Sequence, residues 1–108
     1  MIFATLSEGG RDGTLLLVNR ARTRAVRATA VAQDLQRLLD DWERLLPAAQ
    51  ALAARLEADG CTDAFALAGA ELEAPLPRSF QFLDGSIYPE HMGPIRAARG
   101  ARMPEDYF

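Results

Sequence analysis

With 108 residues, 49% of them hydrophobic and 25% charged, and a formal net charge of -3, the chain is sized for one domain with a single core, and collagen-like, disordered and disulfide-scaffold classes are excluded. All 12 cations are Arg and 20 residues are Ala, a bias that reads as coding composition and not as a nucleic-acid signature. No run approaches the roughly 20 apolar residues of a bilayer span, and the start Met1-Ile2-Phe3-Ala4-Thr5 has no basic flank or small-residue cleavage site. A cytoplasmic protein with no nucleic-acid or membrane partner is expected. The lone Cys61 has no second cysteine for a disulfide or a Cys-based zinc cluster, and just after Gly60 it reads as a small packed hydrophobe.

Ile2 to Leu6 and Thr14 to Val18 are apolar runs of strand length, and the three glycines between Glu8 and Gly13 supply the positive φ angles of a hairpin loop. A third strand is expected from Thr23 to Thr29, with Asn19 to Arg22 as its turn. From Asp34, an acceptable N-cap, the period changes. Leu35, Leu38, Leu39, Trp42, Leu45 and Leu46 form one helical stripe, expected to pack on the sheet, with Arg37, Asp40, Asp41, Glu43 and Arg44 on the other face. Pro47 suits a first helical position, so a second helix is expected from Pro47 to Asp59, capped by Gly60 and burying Ala49, Leu52, Ala53 and Leu56. After Phe65-Ala66-Leu67, the prolines at 75, 77, 89, 94 and 104 leave room only for a short helix from Pro94 to Arg99, stopped by Gly100. The fold class is α+β: a small antiparallel β-sheet packed against two consecutive helices, with a Pro-rich extended C-terminal tail.

Charge alternates, with a net positive charge over residues 1–27, a net negative charge over 28–77 and balance beyond. Such surfaces attract one another within a fold or a partner. Arg20, Arg22 and Arg24 therefore read as a solvated strand edge, and Asp40, Asp41 and Glu43 as a solvated helix face. Titratable and polar groups concentrate in the tail, at Asp84, Ser86, Tyr88, Glu90, His91, Arg96 and Arg99. His91 alone titrates near neutrality without help, which makes it the candidate general base or metal ligand. A second His, HExxH and CxxC patterns are missing, and Ser7, Ser79 and Ser86 lack the context of a nucleophile elbow.

The run from Pro75 through Phe80-Gln81-Phe82-Leu83-Asp84-Gly85-Ser86-Ile87-Tyr88-Pro89-Glu90-His91, followed by Arg96-Ala97-Ala98-Arg99-Gly100 and Met103-Pro104, resembles bacterial members of the fumarylacetoacetate hydrolase family. The opening strands and the Asp40-Asp41-Trp42 helix are similar to that family's N-terminal domain. The resemblance implies a domain over residues 1–74, then a linker and first strip of a catalytic domain over 75–108. It implies hydrolysis of a carbon–carbon bond in a diketo acid, within aromatic catabolism, using Mg²⁺ or Ca²⁺. Asp84 matches the family's first metal carboxylate, His91 its catalytic base and Arg99 the arginine that holds the substrate carboxylate. Ser86 stands where relatives carry a Tyr and Tyr88 lies two residues on, so either hydroxyl is a candidate for substrate contact. The remaining metal ligands and the catalytic domain follow this segment in the family, so the chain is expected to be a fragment, inactive and without a tightly bound ion by itself. Its expected partner is the C-terminal catalytic domain of the same protein. A homodimer is allowed, and the alternative is a free-standing module that docks onto a separate catalytic chain.

Overall fold

A computed structural model describes residues 1–106. β1 (Ile2–Leu6) and β2 (Thr14–Val18) pair antiparallel, with Ile2 opposite Val18 and Leu6 opposite Thr14. The loop between them turns on Gly9, Gly10 and Gly13, all at positive φ. Gly13 is also sterically required, because a Cβ there would stand 2.7 Å from the Leu6 carbonyl oxygen and would collide with the Thr5 methyl group. β3 (Arg24–Arg27) adds to β2, and β4 (Phe65–Ala66) adds to β3, in the order β1-β2-β3-β4. β4 extends the three strands expected from the sequence. β3 is shorter than the expected span because the Val31 and Ala32 amides both donate to the Ala28 carbonyl, at 2.8 and 3.1 Å, and curl the chain into a turn.

Every residue of β2 is buried, because both faces of the sheet are covered. Leu15 and Leu17 face the helices, among Val26, Leu38, Leu52, Leu56 and Cys61. Leu16 and Val18 face the other way with Leu6 and Ala25, under Phe65, Leu67 and Ala70. A strand covered on both faces has no reason to alternate, which explains the continuous apolar run at 14 to 18. Each fully buried leucine contributes about 1.5–3 kcal/mol. The second face is closed by the chain after β4, which crosses to β1: Leu72 bridges Leu6, the Ser7 amide donates to Glu71 O at 2.8 Å and the Glu73 amide donates to Thr5 O at 2.9 Å.

The helices divide differently from the sequence expectation. α1 (Leu35–Asp40) starts on Asp34, whose carboxylate accepts the Arg37 amide at 2.8 Å. α2 (Trp42–Glu57) then runs through Pro47. The break falls at Asp41, at φ -130 and ψ 40, and not at Pro47. Pro47 lies in the second turn, where the one ladder bond it removes belongs to the exposed Glu43. The stripe is interrupted as a result. Leu38 is buried, Leu35, Leu45 and Leu46 are half-buried, and Leu39 and Trp42 remain 45% and 36% exposed, the Trp42 ring standing edge-on to Phe3 at 6.3 Å. The expectation that all six side chains pack on the sheet is thus corrected. α2 buries Ala49, Leu52 and Leu56 as its spacing predicts. It ends earlier than expected, with Asp59 and not Gly60 in the left-handed conformation, at φ 60. The Asp59 amide donates to Leu56 O at 3.2 Å and the Gly60 amide to Arg55 O at 2.7 Å, which satisfies the last carbonyls.

The tail is less extended than expected. α3 (Pro89–Ala98) begins at Pro89, whose missing amide costs nothing at a helix start, and includes Pro94. Gly100, at φ 70, follows its end as predicted. This helix stands off the sheet domain: the Cα radius of gyration is 18.4 Å, against about 13 Å for a compact domain of this length. No helix among the described residues is long and apolar enough to cross a membrane.

Candidate functional site

Between the sheet domain and α3 the chain carries the residues singled out from the sequence. Tyr88, extended at φ -83 and ψ 140, accepts the His91 and Met92 amides at 3.0 and 2.9 Å, so His91 sits in the first turn of α3. That turn aims the imidazole back at the preceding segment, where His91 Nε2 lies 3.1 Å from Asp84 Oδ2. The other carboxylate oxygen accepts the Ser86 amide at 3.0 Å. Ser86 adopts φ 33, a left-handed value that folds residues 84 to 86 into a tight Asx-type turn.

Three donors thus converge on one carboxylate. The Ser86 hydroxyl has the largest effect, followed by His91 and the Ser86 amide, and together they hold the Asp84 carboxyl well below its ordinary 3.8, at about 2. The group stays ionised at neutral pH. A carboxylate only accepts, so a neutral His91 ring facing it carries its hydrogen on Nε2 and leaves the Nδ1 lone pair free for a proton. The pair is half-exposed, and its Coulomb attraction is correspondingly screened.

Other predicted site residues are placed apart from this cluster. Tyr88 is 72% exposed at the start of α3, and its hydroxyl is not among the donors to Asp84. Arg99 caps the far end of the helix, eight residues past His91 and so about 12 Å along the axis. Among the described residues no group of three or more His, Cys, Asp or Glu could hold a metal ion. A hard divalent cation takes about six or more oxygen ligands. Asp84 offers one carboxylate, so the described residues around it supply only part of such a ligand set.

Sequence reasoning read the glycine loop as a turn and nothing more, and so missed that Asp12 within it grips Arg78. Arg78 Nε donates to Asp12 Oδ1 at 2.8 Å, and a second guanidinium nitrogen donates to the other oxygen. This pair stands at the rim of a cavity of about 480 Å³ lined by Asp34, Arg37, Leu76 and Phe80 among others. The cavity is separate from the Asp84–His91 pair. The only sequence signal for the grip was an unexplained opposite charge on each side.

A family model described as fumarylacetoacetase N-terminal domain 2 matches residues 1–78, which covers more than half of the chain and reaches from β1 to the Arg78 contact. No curated protein matches the sequence.

Proposed function

The chain belongs to the fumarylacetoacetase N-terminal domain family, and from that premise we infer that it serves as the accessory domain and first active-site strip of a metal-dependent hydrolase cleaving a carbon–carbon bond in a diketo acid. The observation that carries the reading is the Asp84–His91 pair, 3.1 Å apart on the segment immediately after the matched domain. Cleavage of a 1,3-diketone by water needs a base to take a proton as the water oxygen attacks a carbonyl, and the carbon–carbon bond then breaks to give an acid and a protonated carbon. His91 is assigned as that base through Nδ1, with Asp84 fixing its tautomer. In the complete enzyme Asp84 is proposed to contribute to a Mg²⁺ or Ca²⁺ site, and Arg99 to neutralise the substrate carboxylate. Ser86, through its contact with Asp84, is the stronger candidate of the two hydroxyls for a place beside the reacting groups, and Tyr88 lines the approach.

The partner is proposed to be the C-terminal catalytic domain of the same protein. Phe80, Phe82, Leu83, Ile87 and Tyr88 are each at least 71% exposed, and five large apolar side chains within nine residues form a contact segment. The same segment would serve a separate catalytic chain, which keeps a docking module as the second reading. The test is cleavage of fumarylacetoacetate or an acylpyruvate with added Mg²⁺, by this chain and by a full-length relative carrying the equivalent residues. The 108-residue chain is expected to show no turnover. In the relative, replacing the His91 equivalent with Ala should reduce turnover about 10²–10⁴-fold with metal content retained, and replacing the Asp84 equivalent should also weaken metal binding. A full-length enzyme indifferent to both changes would refute the assignment.

A further inference from the structure

The chain from Glu71 to Arg78 lies across the end of β1 as a strap held by five polar contacts. Two are backbone pairs, the Ser7 amide with Glu71 O and the Glu73 amide with Thr5 O. In the third, the Thr5 hydroxyl donates to Pro75 O at 2.7 Å. In the fourth, the Ser7 hydroxyl donates to Glu73 Oε1 at 2.6 Å, and the fifth is the two-pronged Arg78–Asp12 contact. Apolar burial contributes little here, since Leu72 is 46% exposed and Glu71, Glu73 and Pro75 are exposed. Thr5 by contrast is 1% exposed, and the bare Gly13 is what lets it sit there.

Arg78 is the last of these anchors. Beyond it, the hydrogen bonds made by Asp84, Ser86, His91 and Arg96 close within the tail itself. Only five residues separate Arg78 from Asp84, so the orientation of Arg78 limits where Asp84 can lie. A single exposed ion pair is usually worth about 0–1 kcal/mol, but a guanidinium fork on a carboxylate fixes direction as well as distance. We propose that Asp12 and Arg78 are a positioning pair by which the β1–β2 loop sets the path of the segment bearing Asp84 and His91.

The functional weight of this pair rests on the reading under Proposed function, but its structural content does not, and the test needs neither metal nor substrate. Trp42, the only Trp, serves as energy-transfer donor, and a dansyl group on Glu90→Cys reports the position of the first turn of α3. Cys61 is buried and does not compete for label. Time-resolved transfer in the whole chain should give a narrow distance distribution. Asp12→Asn should broaden it about twofold or more as the segment samples new directions. Arg78→Lys, which keeps the charge and loses the fork, should broaden it less. The swap Asp12→Arg with Arg78→Asp should narrow it again, a rescue that general destabilisation would not produce. Near-ultraviolet circular dichroism on each variant checks the fold, and Arg78→Gln repeats the experiment from the other side of the pair. A broad distribution in the wild-type chain, an unchanged one in the single variants, or no rescue by the swap would each overturn the proposal. Failure of the cleavage assay in the full-length relative would instead strike the functional reading and leave this result standing.

Discussion

Residues 1–78 and 79–106 are held in shape by different physics. The first region wraps both faces of β2, with Leu15, Leu16 and Leu17 all at 0% exposure. The second buries no large side chain completely and takes its local form from a proline at a helix start, a left-handed serine and one carboxylate collecting donors. A core of this kind resists local opening, whereas short-range polar contacts in solvent open at little cost. The contrast separates a platform held by burial from a strip whose large apolar side chains are mostly exposed.

Substitutions matched for size should expose the contrast most strongly. Leu17→Ala or Leu38→Ala removes a side chain at 0% exposure and should cost about 2–5 kcal/mol in denaturant unfolding. Phe82→Ala, at 87% exposure, should change stability by less than about 0.5 kcal/mol. Equal effects at Leu17 and Phe82 would mean that the tail is part of the core.

A smaller effect is expected at Asp34, which is buried, caps α1 and pairs with Arg37. Asp34→Ala should cost about 1–2 kcal/mol, read by the same unfolding curves, while Asp34→Asn should recover part of it by keeping an acceptor for the Arg37 amide. If Asp34→Ala is neutral, α1 is held by Leu38 alone.

Much of the platform was legible in the sequence because strands and α2 follow local rules. The three glycines mark the hairpin, and Ala49, Leu52 and Leu56 mark the buried face of α2. The break at Asp41 was not legible: a leucine stripe records which residues are apolar, but not that burial of Leu38 and the edge contact between Trp42 and Phe3 set two separate helix axes. Nor was the start of α3: Pro94 read as the helix start, whereas the extended backbone of Tyr88 places it at Pro89. In the site, the family resemblance drew attention to Asp84 and His91 together, but their approach depends on the left-handed Ser86, a residue type with no general preference for that conformation. The Asp12–Arg78 grip joins residues 66 positions apart, beyond any periodic signal.

The smallest effect is a pH response confined to the strip. The Asp84 carboxyl is lowered from 3.8 to about 2, by the Ser86 hydroxyl first and His91 second. Its folded value lies below the unfolded one, so the stabilising contribution is complete above the ordinary aspartate value and is lost as pH falls through the folded value. The Ser86 amide resonance should therefore titrate with a midpoint near 2, and Ser86→Ala should move that midpoint up toward 3.8. A midpoint already at the ordinary value in the wild-type chain would remove the cluster from the account.

Native-state hydrogen exchange on the whole chain, at concentrations where it is monomeric, tests the division most directly. Amides of β2 from Leu15 to Val18 and of α2 around Leu52 should exchange only through global unfolding. Those from Phe80 to Tyr88, which the sheet does not hydrogen-bond, should exchange far faster than those of β2 even though the strip keeps its direction, with α3 between the two. Protection across Phe82 to Arg99 equal to that of α2 would contradict the account, because the strip would then open only together with the core of the platform.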